Sequence, residues 1–424
     1  MIDMGFFDLE QTKSKSRPDG KVYSCASCGL YQNCLSPKMK AFGKGEKRIL
    51  NIGEAPGETE DRKGRQWQGK VGRSLQRMYR RFGINLFEDC VNINSVNCRP
   101  AKNRTPTDYE IACCRQSVQA VIEEYQPHLI MLFGNAAISS VIGDRWKKDL
   151  GEINKWRGWQ IPDRDLRAWV CPVFHPSFVE RSQGQQEVET MWEKDIGEAL
   201  LCLDKKFPDF QEDKRNITFV EPDEVKPLLD SFPDKYAGEI AYIDYETTGI
   251  KPHARGHRIV CTAIAPEPHL AYVFMGPKTK IQKQALAGFL SSPMIGKAAA
   301  NMKFEHVWSL VKLGVETNPW IWDTMQAAHV LDNRPGITSL KFQAYVQLGV
   351  VDYDSHISPF LSGRAPGEDP KSRNAINRIF ELVERDGGKE LMTYCALDAM
   401  YEHQLGLIQM ERLGYDNPPF YPPF

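Results

Sequence analysis

The sequence predicts two α/β units in succession: an α/β/α sandwich on a mostly parallel sheet, then an α+β sheet with helices packed on it. Three observations carry that expectation. The chain has 424 residues and 42% hydrophobic content, enough for two cores of ~100–200 residues each. Strand and helix signals alternate regularly as far as residue 203, and a polar interruption follows. Together these divide the chain into an expected first domain over 1–210 and a second over 211–424.

In the first half, apolar β-type runs at 48–52, 90–96, 128–133 and 169–174 alternate with helical periodicity at 74–82, 108–125 and 187–203. Such alternation marks a parallel sheet covered by helices. The stretch 204–226, with Pro208, Pro222 and many charges, reads as the connection. After it, 239–244, 257–265 and 269–274 read as three consecutive strands, followed by an apolar run at 298–300 and helices to the end. There is no internal repeat and no low-complexity segment.

Net charge is only -1 and does not select a partner class, but the halves differ. Residues 1–210 hold 32 Lys+Arg against 28 Asp+Glu, and residues 38–81 hold 13 against 5. That local excess could track a phosphate backbone, or form an ordinary solvated face. Eleven cysteines without a secretory leader point to a reducing compartment in which thiols stay free or bind metal. No apolar run reaches the ~18 residues needed to span a bilayer. The expectation is a cytoplasmic protein with no membrane partner.

Cys25 and Cys28 form a C-x2-C pair, and Cys98 and Cys114 lie sixteen positions apart. Four thiolates suit a 4Fe-4S cluster, and zinc accepts the same count. The same segment carries Gly53-Glu-Ala-Pro-Gly-Glu58, Asn94 in a strand-like run, and His175-Pro-Ser177. A glycine- and proline-rich turn at the carboxyl end of a strand lets backbone approach a ligand closely.

With these motifs in place, residues 25–203 resemble family 4 uracil-DNA glycosylases. The resemblance implies a uracil-DNA glycosylase-like sandwich with Cys25, Cys28, Cys98 and Cys114 as iron-sulfur ligands, chosen over Cys34 and Cys113 by the family spacing. It implies that Glu54 positions the attacking water and that His175 donates to a uracil carbonyl oxygen. Cleaving an N-glycosidic bond makes an oxocarbenium-like sugar and a uracil anion, which call for those groups. Asn94 would read the uracil edge, since its amide offers both a donor and an acceptor to an extruded base. Ala55 and Gly57 would line the base pocket. Trp67, in Gly64-Arg-Gln-Trp-Gln-Gly69, stands where the family has a stacking phenylalanine.

In the second half, Asp244 and Glu246 stand at i and i+2, on one side of an expected strand. Tyr394 and Asp398 stand at i and i+4, on one side of an expected helix. With Asn301-Met-Lys-Phe-Glu305 between them, the set resembles the DEDDy 3′-to-5′ exonucleases, the proofreading domain of family A DNA polymerases. The resemblance covers about 219–413 and implies a ribonuclease H-like fold. It implies that Asp244, Glu246, Glu305 and Asp398 hold two Mg2+ or Mn2+ ions and that Tyr394 orients the attacking water. Glu305 replaces the family's aspartate. Asp323 matches a family position and reads as supporting structure.

The joint expectation is a bifunctional DNA enzyme acting on single strands and 3′ ends in replication-coupled repair, in a bacterium or in a virus acting in a bacterial host. No polymerase motif follows, so a separately encoded DNA polymerase is the expected partner, with the Pro- and aromatic-rich tail 415–424 as a docking peptide or as a disordered end. Two rival expectations stand beside it: a first domain that only binds DNA, and a chain in which both halves are inactive scaffolding.

Overall fold

The computed structural model describes residues 23–182, 185–210, 212–369 and 371–415. Most of the tail 415–424, expected above to be a docking peptide or a disordered end, therefore lies outside the described residues. The chain divides into two compact units: one ends at Asp209 and includes Gly349–Val351, and the other begins at Phe210.

The first unit is built on five strands: β1 (Ile49–Gly53), β2 (Cys90–Asn94), β3 (Leu129–Phe133), β4 (Ile161–Asp163) and β5 (Ala168–Val173), in the order β2-β1-β3-β5-β4. Four run parallel, and β4 pairs antiparallel with β5. All five strands are buried along their length, because helices cover both faces of a parallel sheet and leave no polar side to alternate with. The helix Asp108–Tyr125 starts at a capping box, in which the Thr107 hydroxyl accepts the Glu110 N–H while the Glu110 carboxylate accepts the Thr107 N–H. Arg104 pairs with the same carboxylate at 2.5 Å, and the Glu110 carboxyl sits below its ordinary range chiefly because of that guanidinium.

The second unit has six strands: β6 (Ile217–Phe219), β7 (Ile240–Thr247), β8 (Ile259–Glu267), β9 (Leu270–Met275), β10 (Gly296–Ala299) and β11 (Trp320–Asp323), in the order β11-β10-β7-β8-β9-β6. β7, β8 and β9 form an antiparallel meander, and β10, β11 and β6 join it in parallel. Two expectations need correction here. The expected connection 204–226 contains β6, an edge strand, and the expected all-helical remainder contains β11. Both are short runs at sheet margins, too brief to show a period of two.

Alternation along β7 sorts its side chains between two cores. Ile240 and Tyr242 join the cluster under the long helix Lys389–Arg412, whereas Ala241, Ile243 and Tyr245 join the cluster under helices Val225–Lys235 and Lys280–Ser291. By the same period of two, Asp244 and Glu246 fall on the side of Lys389–Arg412. No helix among the described residues is long and apolar enough to cross a membrane.

Candidate functional sites

Parallel register brings the carboxyl ends of β1, β2, β3 and β5 to one edge of the first sheet. Gly53 lies opposite Asn94, and Phe133 lies opposite Val173. The Gly53 carbonyl accepts the Ser95 N–H at 2.9 Å and the Ser95 hydroxyl at 2.7 Å, while the Glu54 carbonyl accepts the Val96 N–H at 3.1 Å. The chain segments carrying Glu54 and Asn94 are thereby locked side by side. A Cβ on Gly53 would stand 2.5 Å from Asn94 Oδ1 and 3.0 Å from the Trp67 ring, so the strand end, the amide and the indole converge at one point.

Trp67 is a buried aromatic residue with φ of 58°, in the left-handed region. A bulky side chain rarely occupies that region, and such strain concentrates at functional sites. Its ring lies 5.5 Å from Phe133, edge-on, and 5.8 Å from His175. Its indole Nε1 is buried without a hydrogen-bond partner.

His175 caps the helix Pro176–Arg181, with Nδ1 accepting the Ser177 N–H at 3.2 Å and lying 2.7 Å from the Ser177 hydroxyl. An Nδ1 that accepts leaves the proton of the neutral ring on Nε2, making that nitrogen a donor. Burial, with a smaller push from Arg181, holds the imidazole pKa down at about 4. Burial also raises the Glu54 carboxyl, against the opposing charge of Arg181. Arg181 thus acts electrically on both groups. It was not singled out in the sequence, where it is one basic residue among many.

The Gly53–Glu58 loop is fixed from below. Glu60 Oε1 accepts the Gly69 N–H at 2.6 Å, and a Cβ on Gly57 would stand 2.8 Å from Glu60 Oε2. Ala55 packs on the apolar cluster of Leu30, Val96, Cys98 and Cys114, with Cys28 and Cys34 at its margin. The Cys98 sulfur accepts the Lys38 N–H at 3.2 Å. Burial pushes the Cys114 thiol up to about 12, and Cys25, Cys28 and Cys98 add to that push. Burial likewise raises Cys98 to about 12, partly offset by the Lys38 N–H, with Cys34 and Cys25 contributing. Burial, and then Cys28 and Cys25, also raise the Cys113 thiol, so Cys34 and Cys113 share the electrical surroundings of the four expected ligands. Four thiols are a donor count that a 4Fe-4S cluster or a zinc ion accepts.

In the second unit, Asp244, Glu246 and Asp398 bring ligand oxygens within 4.8 Å of one another. Burial, and then Asp398, raises the Asp244 carboxyl to about 7. Glu246 is raised well above its ordinary range by burial, then by Asp244 and Asp398. Glu305 lies in the first turn of the helix Lys303–Leu313, buried, and is raised by burial and by Asp244. It lies near the trio without belonging to it. Asp244 Oδ2 and Glu305 Oε2 are buried without partners, as an oxygen cage for a hard cation requires. Asp323 accepts the N–H groups of Asn301 and Met302, and also those of Met325 and Gln326, at 3.0 or 3.1 Å. It thereby shapes the turn that presents Glu305.

Three residues of this site were missed in the sequence. Lys341 pairs with Asp398, and its ammonium lies 4.2 Å from the Tyr353 ring and 4.3 Å from the Tyr394 ring. Tyr353 donates its hydroxyl proton to Asp398 Oδ1 at 2.6 Å. Glu402 lies one helical turn beyond Asp398. Tyr394 itself is buried, and burial and the surrounding carboxylates hold its phenol protonated, so that it acts as a donor.

Comparison with known proteins gives the class of the first unit. Residues 40–194 match the uracil DNA glycosylase superfamily. The chain is 34% identical over 186 residues to a type-4 uracil-DNA glycosylase of Thermotoga maritima, an alignment covering 44% of this chain and 93% of that one. A second type-4 enzyme, from Sulfurisphaera tokodaii, is 32% identical, with 37% and 71% covered. Through its first unit, the chain belongs to the type-4 uracil-DNA glycosylase family. It is also 25% identical over 387 residues to a DNA polymerase of Bacillus phage SP01, covering 83% of this chain and 39% of the polymerase. Brucella melitensis NrnC with bound Mg2+ overlaps 47% of this chain and 85% of its own at 19% identity, with a TM-score of only 0.31.

Proposed function

We propose that the chain is a bifunctional DNA-processing enzyme that excises uracil with its first unit and trims 3′ ends with its second. The observation that supports excision is the convergence of Asn94, Trp67 and the Nε2–H donor of His175 around Gly53. An extruded uracil would be read along its edge by the Asn94 amide and packed against Trp67. His175 would donate to the carbonyl oxygen on which charge develops as the base leaves. Because the ring is already neutral, that donation needs no prior protonation. Glu54 would hold the attacking water and, once ionised, face the positive charge on the sugar.

Cys25, Cys28, Cys98 and Cys114 would hold the 4Fe-4S cluster. When bound, it supplies the positive charge that lets buried thiols become thiolates. Its role in this reading is to fix the floor beneath Ala55 and the catalytic loop.

For the second unit, Asp244, Glu246, Asp398 and Glu305 would hold two Mg2+ or Mn2+ ions, which supply charge for attack on the terminal phosphodiester and for the leaving 3′ oxygen. Tyr394, held protonated, would orient the incoming water by donating to it. The alignment with the phage polymerase covers 83% of this chain and so takes in most of both units. That supports replication-coupled editing and leaves a separately encoded polymerase as the proposed partner.

One assay tests both activities: labelled single-stranded and duplex DNA, with or without one uracil, in Mg2+ or in EDTA. Abasic sites formed in EDTA and end-trimming confined to Mg2+ are the expected results. Uracil-independent trimming with no abasic product would make the first unit a binding module only. Brown colour with broad visible absorbance is the expected signature of the cluster, and its absence in anaerobically purified protein would remove that assignment.

A further inference from the structure

The second unit holds a cavity of about 710 Å3 that the acidic trio does not line, at the end of the sheet where β8 begins and β9 ends. Buried Val260 and Pro277 line it, and half-buried Met275 and Phe380 add apolar surface. Four basic side chains complete it: Arg258, Lys278 and Lys283, which are exposed, and Lys312, which is half-buried. Among the described residues, no Asp or Glu lines it. The surrounding sequence leans the other way, since residues 211–424 hold 22 Lys+Arg against 27 Asp+Glu.

Other basic residues of this unit find acids nearby: Lys226 pairs with Asp230, Arg378 with Glu381 and Arg385 with Glu390. The four cavity cations do not. Among the described residues none of their side chains makes an ion pair or a hydrogen bond; Arg258 lies over the Phe380 ring at 4.3 Å and Lys312 over the Trp308 ring at 5.9 Å. Like charges gathered without acids repel one another, and an incoming anion removes that cost. A phosphate suits the set, because a guanidinium forks two of its oxygens while ammonium groups supply point charge. The apolar wall beside the cations suits a flat ring, which a bare anion lacks. The volume falls within the ~300–1,000 Å3 usual for small-molecule sites.

Sheet register relates the cavity to the trio. Glu246 pairs with Cys261, and Cys261 with Met275, so Met275 stands two strands from Glu246 at the same level. Two strand spacings are roughly 10 Å, short enough for one nucleic-acid strand to reach both places.

We propose that this cavity binds a nucleotide, with its phosphate among Arg258, Lys278, Lys283 and Lys312 and its base against Met275 and Phe380. Two sources carry that chemistry: an inner nucleotide of the strand whose 3′ end lies at the trio, or a free nucleotide. The first source rests on the exonuclease reading, whereas binding itself does not.

Calorimetry on the full chain in EDTA, with ATP and with a thymidine tetranucleotide as probes, measures binding without cleavage. Lys278→Gln/Lys283→Gln removes two exposed charges and leaves the trio untouched. It is expected to weaken at least one probe fivefold or more and to lower the slope of log affinity against log salt by about 1. Trimming in Mg2+ separates the sources. A KM raised at least fivefold with little change in kcat assigns the cavity to the strand, and an unchanged KM with weakened ATP assigns it to a free nucleotide. Wild-type affinity for both probes in the variant overturns the proposal. So does an equal loss in Lys226→Gln/Lys235→Gln, whose charges lie outside the cavity. No trimming by the unmodified chain overturns the exonuclease reading alone, because the EDTA measurements still decide this one. Should the double variant fail to fold, Lys312→Gln carries the same comparison.

Discussion

Gly53 and Asn94 stand opposite each other in the register of β1 and β2, and the space between them is too small for a methyl group: a Cβ on Gly53 would lie 2.5 Å from Asn94 Oδ1. Gly53→Ala is therefore expected to displace the Asn94 amide and the Trp67 ring, lowering uracil excision at least tenfold at a stability cost of about 1–3 kcal/mol. Exonuclease activity of the same protein, measured in Mg2+, should be unchanged. Equal loss of both activities would mean general unfolding instead.

With its pKa held at about 4, His175 is neutral throughout the working range of pH. Excision should show no limb near the ordinary histidine value of about 6.5. The acidic limb should belong to the raised Glu54 carboxyl and disappear in Glu54→Gln. His175→Ala should lower the excision rate about 100-fold at every pH, as loss of one preorganised donor does. A limb near 6.5 that persists in Glu54→Gln would contradict a neutral His175.

Asp244 is raised to about 7, so the folded, metal-free chain keeps a proton that the unfolded chain releases near pH 4. Between those values the native state binds more protons, and stability falls as pH rises through that window. In EDTA, the second unit should unfold at a lower temperature at pH 8 than at pH 5. Saturating Mn2+ should reduce that difference, and so should Asp244→Asn. A metal-free unfolding temperature that rises with pH across this range would refute the cluster's electrostatics.

Lys341 neutralises Asp398 from a site walled by Tyr353 and Tyr394. Lys341→Met leaves a buried carboxylate short of its partner and is expected to destabilise the metal-free chain by about 3 kcal/mol. The same change removes a competitor for Asp398, so Mn2+ should bind more tightly. Denaturant unfolding in EDTA and Mn2+ titration check the two halves of this expectation. Weaker Mn2+ binding would assign Lys341 a supporting role instead.

The four parallel strands of the first sheet were legible because strands buried on both faces read as continuous apolar runs, as in Leu129–Phe133. The Asp108–Tyr125 helix announced itself through Thr107 and Glu110 at its start. The helix Lys70–Arg81 begins four residues earlier than its periodicity suggests, because Gly69 caps it without a side-chain signal. β4, β6 and β11 have three or four residues each and depend on neighbours for pairing, so local pattern could not show them.

The candidate sites divide the same way. Asp244 and Glu246, or Tyr394 and Asp398, are close in sequence and fall on one face of one element. Lys341 and Tyr353 reach Asp398 only through tertiary packing, so no spacing betrays them. Glu402 left no such trace either, because the same helix also carries Thr393, His403, Gln404 and Gln409.

The ammonium of Lys341 resting against Asp398 has a bearing on the order of biogenesis. A nuclease whose acids simply repelled one another would have to capture its ions while still condensing, and would stall wherever they were scarce. On the proposed metal-centre reading, an internal counterion already in place would let the chain reach its native shape first and load magnesium afterwards. Cleavage would then wait on ion supply, and newly made protein could not degrade strands before it is charged.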